Sequence, residues 1–137
     1  MNDARYNLLR QSVIDAPVVM KGDYAYFIHP LSDGVPQQSA ELLAAARDLI
    51  NEQVDWDSID IILGIEAMGI PLATALSLAS GKPLVVGRKR TYGLPGEFAI
   101  DQTTGYSKGE IYLNDIGKGD RVLLVDDVVS TGGTLLP

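Results

Sequence analysis

Residues 122–134 read Val-Leu-Leu-Val-Asp-Asp-Val-Val-Ser-Thr-Gly-Gly-Thr. The four apolar residues from Val122 to Val125 have the pattern of a strand covered on both faces, as in a parallel sheet. Two adjacent carboxylates follow, Asp126 and Asp127. Val128 and Val129 lead into a small-residue loop, Ser130, Thr131, Gly132, Gly133 and Thr134, where a helix should begin. A strand, a loop and a helix start in this order predict a strand–helix unit of an α/β fold. The loop chemistry points to an anion. Backbone N–H groups of a Gly-containing turn at a helix N-terminus cradle a phosphate. Gly132 and Gly133 let the backbone come close to it. Hydroxyls at Ser130, Thr131 and Thr134 add donors, and the carboxylates can accept from vicinal ribose hydroxyls. Taken singly, each residue also fits a strand, an acidic turn and an ordinary helix cap. Their order fits a ribose 5-phosphate.

Working outward, residues 59–63 and 84–87 are further short apolar runs, each read as a strand. The loop Gly64-Ile65-Glu66-Ala67-Met68-Gly69 leads into a predicted helix over 70–80, which Gly81 can close. Residues 110–114 and 121–125 read as strands joined by a turn around 117–119. Ser39 is a plausible N-cap for a helix over 40–53, with Leu43, Ala46 and Ile50 on one face. Residues 4–14 form a short helix. Residues 18–20 and 24–28 are extended about a Lys21-Gly22-Asp23 turn, and 29–36 is an irregular loop. Residues 88–109 are polar, carry several glycines and show no regular pattern. Strands alternating with helices imply an α/β fold with a mostly parallel sheet. In such sheets ligands sit beyond the carboxyl ends of the strands. The loops after Leu63, Gly87 and Val125 should therefore open on one edge.

The 137 residues bound the size at one domain, and 46% hydrophobic content is globular. No run of apolar residues reaches membrane-spanning length. The N-terminus lacks the apolar stretch of a signal peptide. With no cysteine there are no disulfides and no thiolate metal sites. A cytoplasmic enzyme fits this composition. A net charge of −7 argues against a general nucleic-acid binder. Cations are instead concentrated: Arg88, Lys89 and Arg90 are three of only 11 basic residues. Fixed cations at a strand end can stabilise a polyanion and the charge on a leaving group. His29, the single histidine, stands beside Pro30 and is read as a loop or packing residue. Trp56, Phe27 and the nearby tyrosines are read as core, with Tyr26 and Phe27 as alternatives for a hood over a base.

The stretch 122–134 resembles the signature of type I phosphoribosyltransferases, which bind phosphoribosyl pyrophosphate (PRPP). Lys21-Gly22-Asp23-Tyr24, Ala67-Met68-Gly69-Ile70, Arg88-Lys89-Arg90 and Gln102-Thr103-Thr104-Gly105-Tyr106 extend the resemblance. They are most similar to the archaeal-type hypoxanthine/guanine group, with likeness to adenine phosphoribosyltransferase. The resemblance implies a single phosphoribosyltransferase domain over 1–137. Its parts would be a mostly parallel sheet flanked by helices, a small N-terminal hood within about 1–36, a flexible lid over about 88–109 and a PRPP loop at 126–134. Family members continue beyond the phosphate loop, so the chain is expected to be incomplete at its C-terminus.

By the same resemblance, Asp126 and Asp127 would bind the ribose hydroxyls, directly or through Mg²⁺. Residues Val128, Val129, Ser130, Thr131, Gly132, Gly133 and Thr134 would hold the 5-phosphate. Glu66, Ala67, Met68 and Gly69, with Arg88, Lys89 and Arg90, would face pyrophosphate. Tyr92 and Tyr106 would cover the ribose from the lid. Asp126, Asp127 and Arg88 are the catalytic candidates. Mg²⁺ would be held mainly by substrate oxygens and water, as suits an ion that keeps much of its shell. Many 6-oxopurine enzymes have an Asp where this chain has Ser130, and some adenine enzymes a lid Glu where it has Gly105. Asp127 is therefore the preferred residue for proton management. The implied activity is purine salvage from PRPP and a purine base, hypoxanthine or guanine before adenine, by a homodimer without nucleic-acid or membrane partners. A PRPP-sensing regulator without catalysis is the alternative.

Overall fold

A computed structural model describes residues 3–103 and 108–127. The chain divides into two compact units, Met1–Val54 and Asp55–Pro137. Among the described residues, no helix is long and apolar enough to cross a membrane.

The first unit opens with α1 (Ala4–Ile14). Asp3 caps it by accepting from the Arg5 amide at 2.9 Å. The Arg5 guanidinium then ties Asp3, at 2.7 Å, to Glu52, at 2.5 Å. β1 (Val18–Lys21) and β2 (Tyr24–Phe27) form an antiparallel hairpin with Val18 opposite Phe27. Gly22 turns it at φ +63°, where a glycine carries no steric cost. The predicted loop 29–36 contains a helical turn, α2 (Pro30–Asp33). α3 (Ala40–Gln53) starts where the Ser39 hydroxyl accepts from the Leu42 amide at 3.0 Å. Its buried residues are Leu42, Ala45 and Ala46. Leu43 and Ile50, expected on the inner face, are only half-buried. Two apolar lanes overlap on this helix, which packs against α1.

His29 is buried, and its ring is satisfied on both sides. Nδ1 accepts from the Leu31 amide at 3.1 Å. Nε2 therefore carries the proton and meets the Ser12 hydroxyl at 2.8 Å, which itself donates to the Leu9 carbonyl. Burial lowers the pKa of His29. The ring is a neutral clasp between α1 and α2, the packing role read from the sequence. Phe27 and Tyr24, read as core, are instead 45% and 67% exposed, and Trp56 is half-buried. An isolated two-stranded hairpin buries little of either face.

The second unit begins with a 3-10 turn, Trp56–Ser58. It displaces the predicted strand at 59–63 to β3 (Ile61–Ile65). α4 (Gly69–Ser80) follows, ended by Gly81 in the left-handed region at φ +77°. β4 (Leu84–Gly87) and β7 (Val122–Val125) pair with β3 on either side, both parallel, in the order β4-β3-β7. β3 is central and covered on both faces. Ile62 and Gly64 face α4, and a Cβ on Gly64 would lie 2.7 Å from that of Ala73. Leu63 and Ile65 face the other way, into a core with Ile111 and Leu113.

Those two residues belong to β6 (Lys108–Leu113), which pairs antiparallel with β5 (Phe98–Thr103). The region expected to lack regular structure thus contains a strand, and β6 pairs with β5 rather than with β7. β5 is apolar only at Phe98, Ala99 and Ile100. Its pattern is completed across the hairpin, where Phe98 faces Leu113 and Ile100 faces Ile111. Among the described residues, one face of the parallel sheet is covered by α4 and the other by this hairpin.

Candidate functional site

Parallel pairing sets three strand ends side by side. Ile65 stands opposite Gly87, and Gly64 opposite Val125. The residues just beyond are Glu66, Arg88 and Asp126. The three loops expected to share one edge do share it.

Gly69 shows how close the approach is. A Cβ there would lie 2.6 Å from the Val125 carbonyl oxygen and 3.2 Å from Asp126 Cα. Only glycine lets α4 begin directly against the end of β7. Met68, at the N-cap, makes no side-chain cap. The helix start therefore keeps its positive end for an outside acceptor. The Glu66–Ala67 peptide bond in this loop is cis. Beside the helix start, Asp126 and Asp127 are both half-buried. The Asp127 amide donates to Asp126 Oδ1 at 2.9 Å, which fixes the first carboxylate against the turn.

On the other side of β3 lies a charged cluster. Arg88 Nε donates to Glu66 Oε1 at 2.5 Å, and the Lys89 amide donates to the same oxygen at 3.2 Å. The Arg88 hydrogen bond holds the Glu66 carboxyl below its ordinary range. Glu66 thus points at the cations rather than outward. The Arg88 backbone bonds to Tyr112 in both directions, 3.1 and 2.7 Å, which anchors the basic run to β6. The guanidiniums of Arg88 and Arg90 lie 5.6 and 4.6 Å from the centre of the Tyr92 ring. Arg90 Nε also donates to the Tyr92 hydroxyl at 3.2 Å.

The structure thus gathers Glu66, Ala67, Met68, Gly69, Arg88, Asp126 and Asp127 around one sheet edge, with Lys89, Arg90 and Tyr92 continuing from β4. Val128, Val129, Ser130, Thr131, Gly132, Gly133, Thr134 and Tyr106 lie outside the described residues.

Sequence reasoning missed Glu97 and Asn114. The Glu97 carboxylate accepts from the Thr91 hydroxyl, the Tyr92 amide at 2.9 Å, the Gly93 amide at 3.3 Å and Asn114 Nδ2 at 3.0 Å. These donors, Thr91 foremost, hold its pKa down to about 2. The signal available in the sequence was an acid closing a Gly-Leu-Pro-Gly turn.

Comparison with known proteins identifies the family. Residues 36–137 match the model of the phosphoribosyl transferase domain. A hypoxanthine/guanine phosphoribosyltransferase of Ferroglobus placidus is 58% identical over 130 residues, 95% of this chain and 69% of that protein. One from Methanohalophilus mahii is 59% identical over 128 residues, 93% of this chain and 67% of that protein. Among solved structures, adenine phosphoribosyltransferase from Rhodothermus marinus superposes with a TM-score of 0.73 at 26% identity, covering 98% of this chain and 75% of that one. With the PRPP-type motif at the end of β7, the shared sheet edge and a family match over most of its length, the chain belongs to the phosphoribosyltransferase family.

Proposed function

We propose that this chain is a purine-salvage phosphoribosyltransferase that joins hypoxanthine or guanine to PRPP. It yields the nucleoside monophosphate and pyrophosphate, with adenine as the alternative base. One observation carries the reading: Gly69 seats the uncapped start of α4 against the Asp126 backbone, with the Arg88–Glu66 pair across β3. That arrangement supplies diol acceptors, an anion-binding helix start and fixed cations within one crevice. The preference for a 6-oxopurine follows the names of the archaeal relatives.

In the reaction, a purine nitrogen forms a bond to C1 of the ribose as the C1–oxygen bond to pyrophosphate breaks. The pair of electrons leaves with pyrophosphate, and the base gives up its N–H proton. The transition state has oxocarbenium character, so positioning and charge stabilisation supply most of the catalysis. Asp126 and Asp127 orient the ribose through its hydroxyls, and residues 128–134 hold the 5-phosphate. The α4 start and Arg88, Lys89 and Arg90 receive pyrophosphate. Glu66 contributes by placing Arg88, since a carboxylate aimed at the anion would repel it. Asp127 is the residue assigned to proton management, and Tyr92 and Tyr106 shield the ribose from water.

The donor set at the end of β7 is two carboxylates with oxygen ligands only, which fits a hard divalent ion. Among the described residues, no group of three or more His, Asp or Glu side chains could hold a metal by itself. Asp126 and Asp127 would therefore share Mg²⁺ with substrate oxygens and water. Bound there, Mg²⁺ would neutralise charge on the substrate. The same reading places the enzyme in the cytoplasm as a homodimer.

The test is nucleotide formation from PRPP and Mg²⁺, scored separately with hypoxanthine, guanine, adenine, xanthine and orotate. Turnover with hypoxanthine or guanine is expected. Turnover with adenine alone would select the alternative base. PRPP binding without turnover on any base would replace the enzyme by a PRPP sensor.

A further inference from the structure

We propose that Glu97 is a positioning residue for the pyrophosphate group, acting through Tyr92 on Arg88 and Arg90. The identity of the polyanion rests on the phosphoribosyltransferase reading above. The role of Glu97 rests on geometry.

Arg88, Lys89 and Arg90 are three consecutive cations, and Arg88 and Arg90 share one neighbour, the Tyr92 ring. Like charges this close repel and would spread into solvent on their long side chains. The electron-rich face of the ring attracts both guanidiniums and holds them together. The cluster therefore depends on where Tyr92 is held. Tyr92 is 40% exposed, so core packing alone does not hold it.

Glu97 supplies the missing constraint. Its two oxygens collect the Thr91 hydroxyl and the Tyr92 and Gly93 amides, which bracket the tyrosine on both sides. The Glu97 amide closes the same turn onto the Leu94 carbonyl at 3.1 Å. Gly93 and Gly96, at φ +68° and +84°, permit so tight a fold. The fourth donor, Asn114 Nδ2, lies at the end of β6 and ties the turn to the hairpin that completes the core. The acid thus stands behind Tyr92, and its contacts are with donors of the turn and of Asn114. All four partners donate, so an ionised carboxylate satisfies them as a neutral side chain cannot. Removing it leaves the Tyr92 amide without its acceptor and the Gly93 amide with the Thr91 hydroxyl alone, which frees the ring and releases Arg90. Arg88 keeps its bond to Glu66, so the loss is partial.

The test compares two ligands by calorimetry on the full chain: inorganic pyrophosphate, which reports the cation cluster, and ribose 5-phosphate, which reports the β7 loop. Glu97→Ala is expected to weaken pyrophosphate about five-fold, the scale of one cation–π contact. Ribose 5-phosphate affinity should stay unchanged. Tyr92→Ala should give the same loss, and the double variant should add little to either single one. Glu97→Gln, which keeps one acceptor oxygen, should fall between wild type and Glu97→Ala, and Tyr92→Phe, which keeps the ring but loses the hydroxyl that accepts from Arg90, should lose less affinity than Tyr92→Ala. Equal weakening of both ligands would mark Glu97 as merely structural and overturn the inference. Additive losses in the double variant would overturn the route through Tyr92. Unchanged pyrophosphate affinity in Glu97→Ala would overturn the inference while leaving the phosphoribosyltransferase reading intact. A wild-type chain that binds neither ligand would overturn that reading and the inference with it.

Discussion

In the unit at 55–137, Ile62, Ile65, Leu76 and Ile111 are at most 1% exposed, whereas in the unit at 1–54, Val18, Met20 and Tyr24 are 62–67% exposed. The C-terminal unit closes a core on both faces of a parallel sheet, and that platform carries the loops proposed to meet the phosphates. Among the described residues of the N-terminal unit the buried apolar ones are those of α3, Leu42, Ala45 and Ala46, and polar ties join its segments: Arg5 between Asp3 and Glu52, His29 on Ser12, Ser39 on its helix. Its first helix buries no residue. The charged residues at the strand ends, Glu66, Arg88 and Asp126, follow strands whose backbone is fixed by packing.

The contrast can be broken most directly in the cores. Leu76→Ala should cost about 2–5 kcal/mol in urea denaturation, as a fully buried leucine leaves a cavity. Met20→Ala should stay within about 0.5 kcal/mol. A loss in Met20→Ala as large as that in Leu76→Ala would show that the N-terminal apolar face is covered in solution. Separating the site from its platform is the next test. Asp126→Asn with Asp127→Asn should weaken PRPP about 100-fold, because two ionised hydrogen-bond acceptors are lost. The urea midpoint should barely move. PRPP affinity that survived the double change would remove the ribose role from these carboxylates.

The smallest effect sharpens the contrast by pH. Asp60 accepts three hydrogen bonds from Arg121, at 2.9, 3.1 and 3.0 Å, which clamp the starts of β3 and β7. The Arg121 side chain lowers its pKa from 3.8 to about 2. A depressed carboxylate stabilises the fold above its unfolded pKa, and that contribution is lost as pH falls through the folded value. Wild type should therefore exceed Asp60→Asn in stability at about pH 5, and the gap should close between about pH 4 and pH 2. Both groups are exposed, so the gap is small and salt-sensitive. A gap that stayed constant across this range would show that the charge of Asp60 contributes nothing.

Much of the C-terminal unit was legible in the residues. The apolar runs at β4 and β7, the helix ended by Gly81 and the carboxylates after Val125 are local signals, and the shared edge followed from their parallel order. β5 was not legible, because half its pattern lies across the hairpin in Ile111 and Leu113. The buried lane of α3 was ambiguous for the same kind of reason: two lanes of similar polarity existed, and contacts from outside the helix selected one. Nor did Glu66 look like a partner of Arg88. The two are 22 residues apart and meet only because β3 and β4 pair in register.

By itself the sequence determined the class of fold, the order of its strand–helix units and the family motif at 126–134, since these depend on local pattern and on residue types at short spacing. Only the tertiary structure decided that Glu66 restrains Arg88, that Gly69 brings α4 onto Asp126, and that Glu97 stands behind Tyr92. Those relations depend on strand register and on contacts between segments distant in the chain, where small differences in packing energy select one arrangement among several that the local pattern allows.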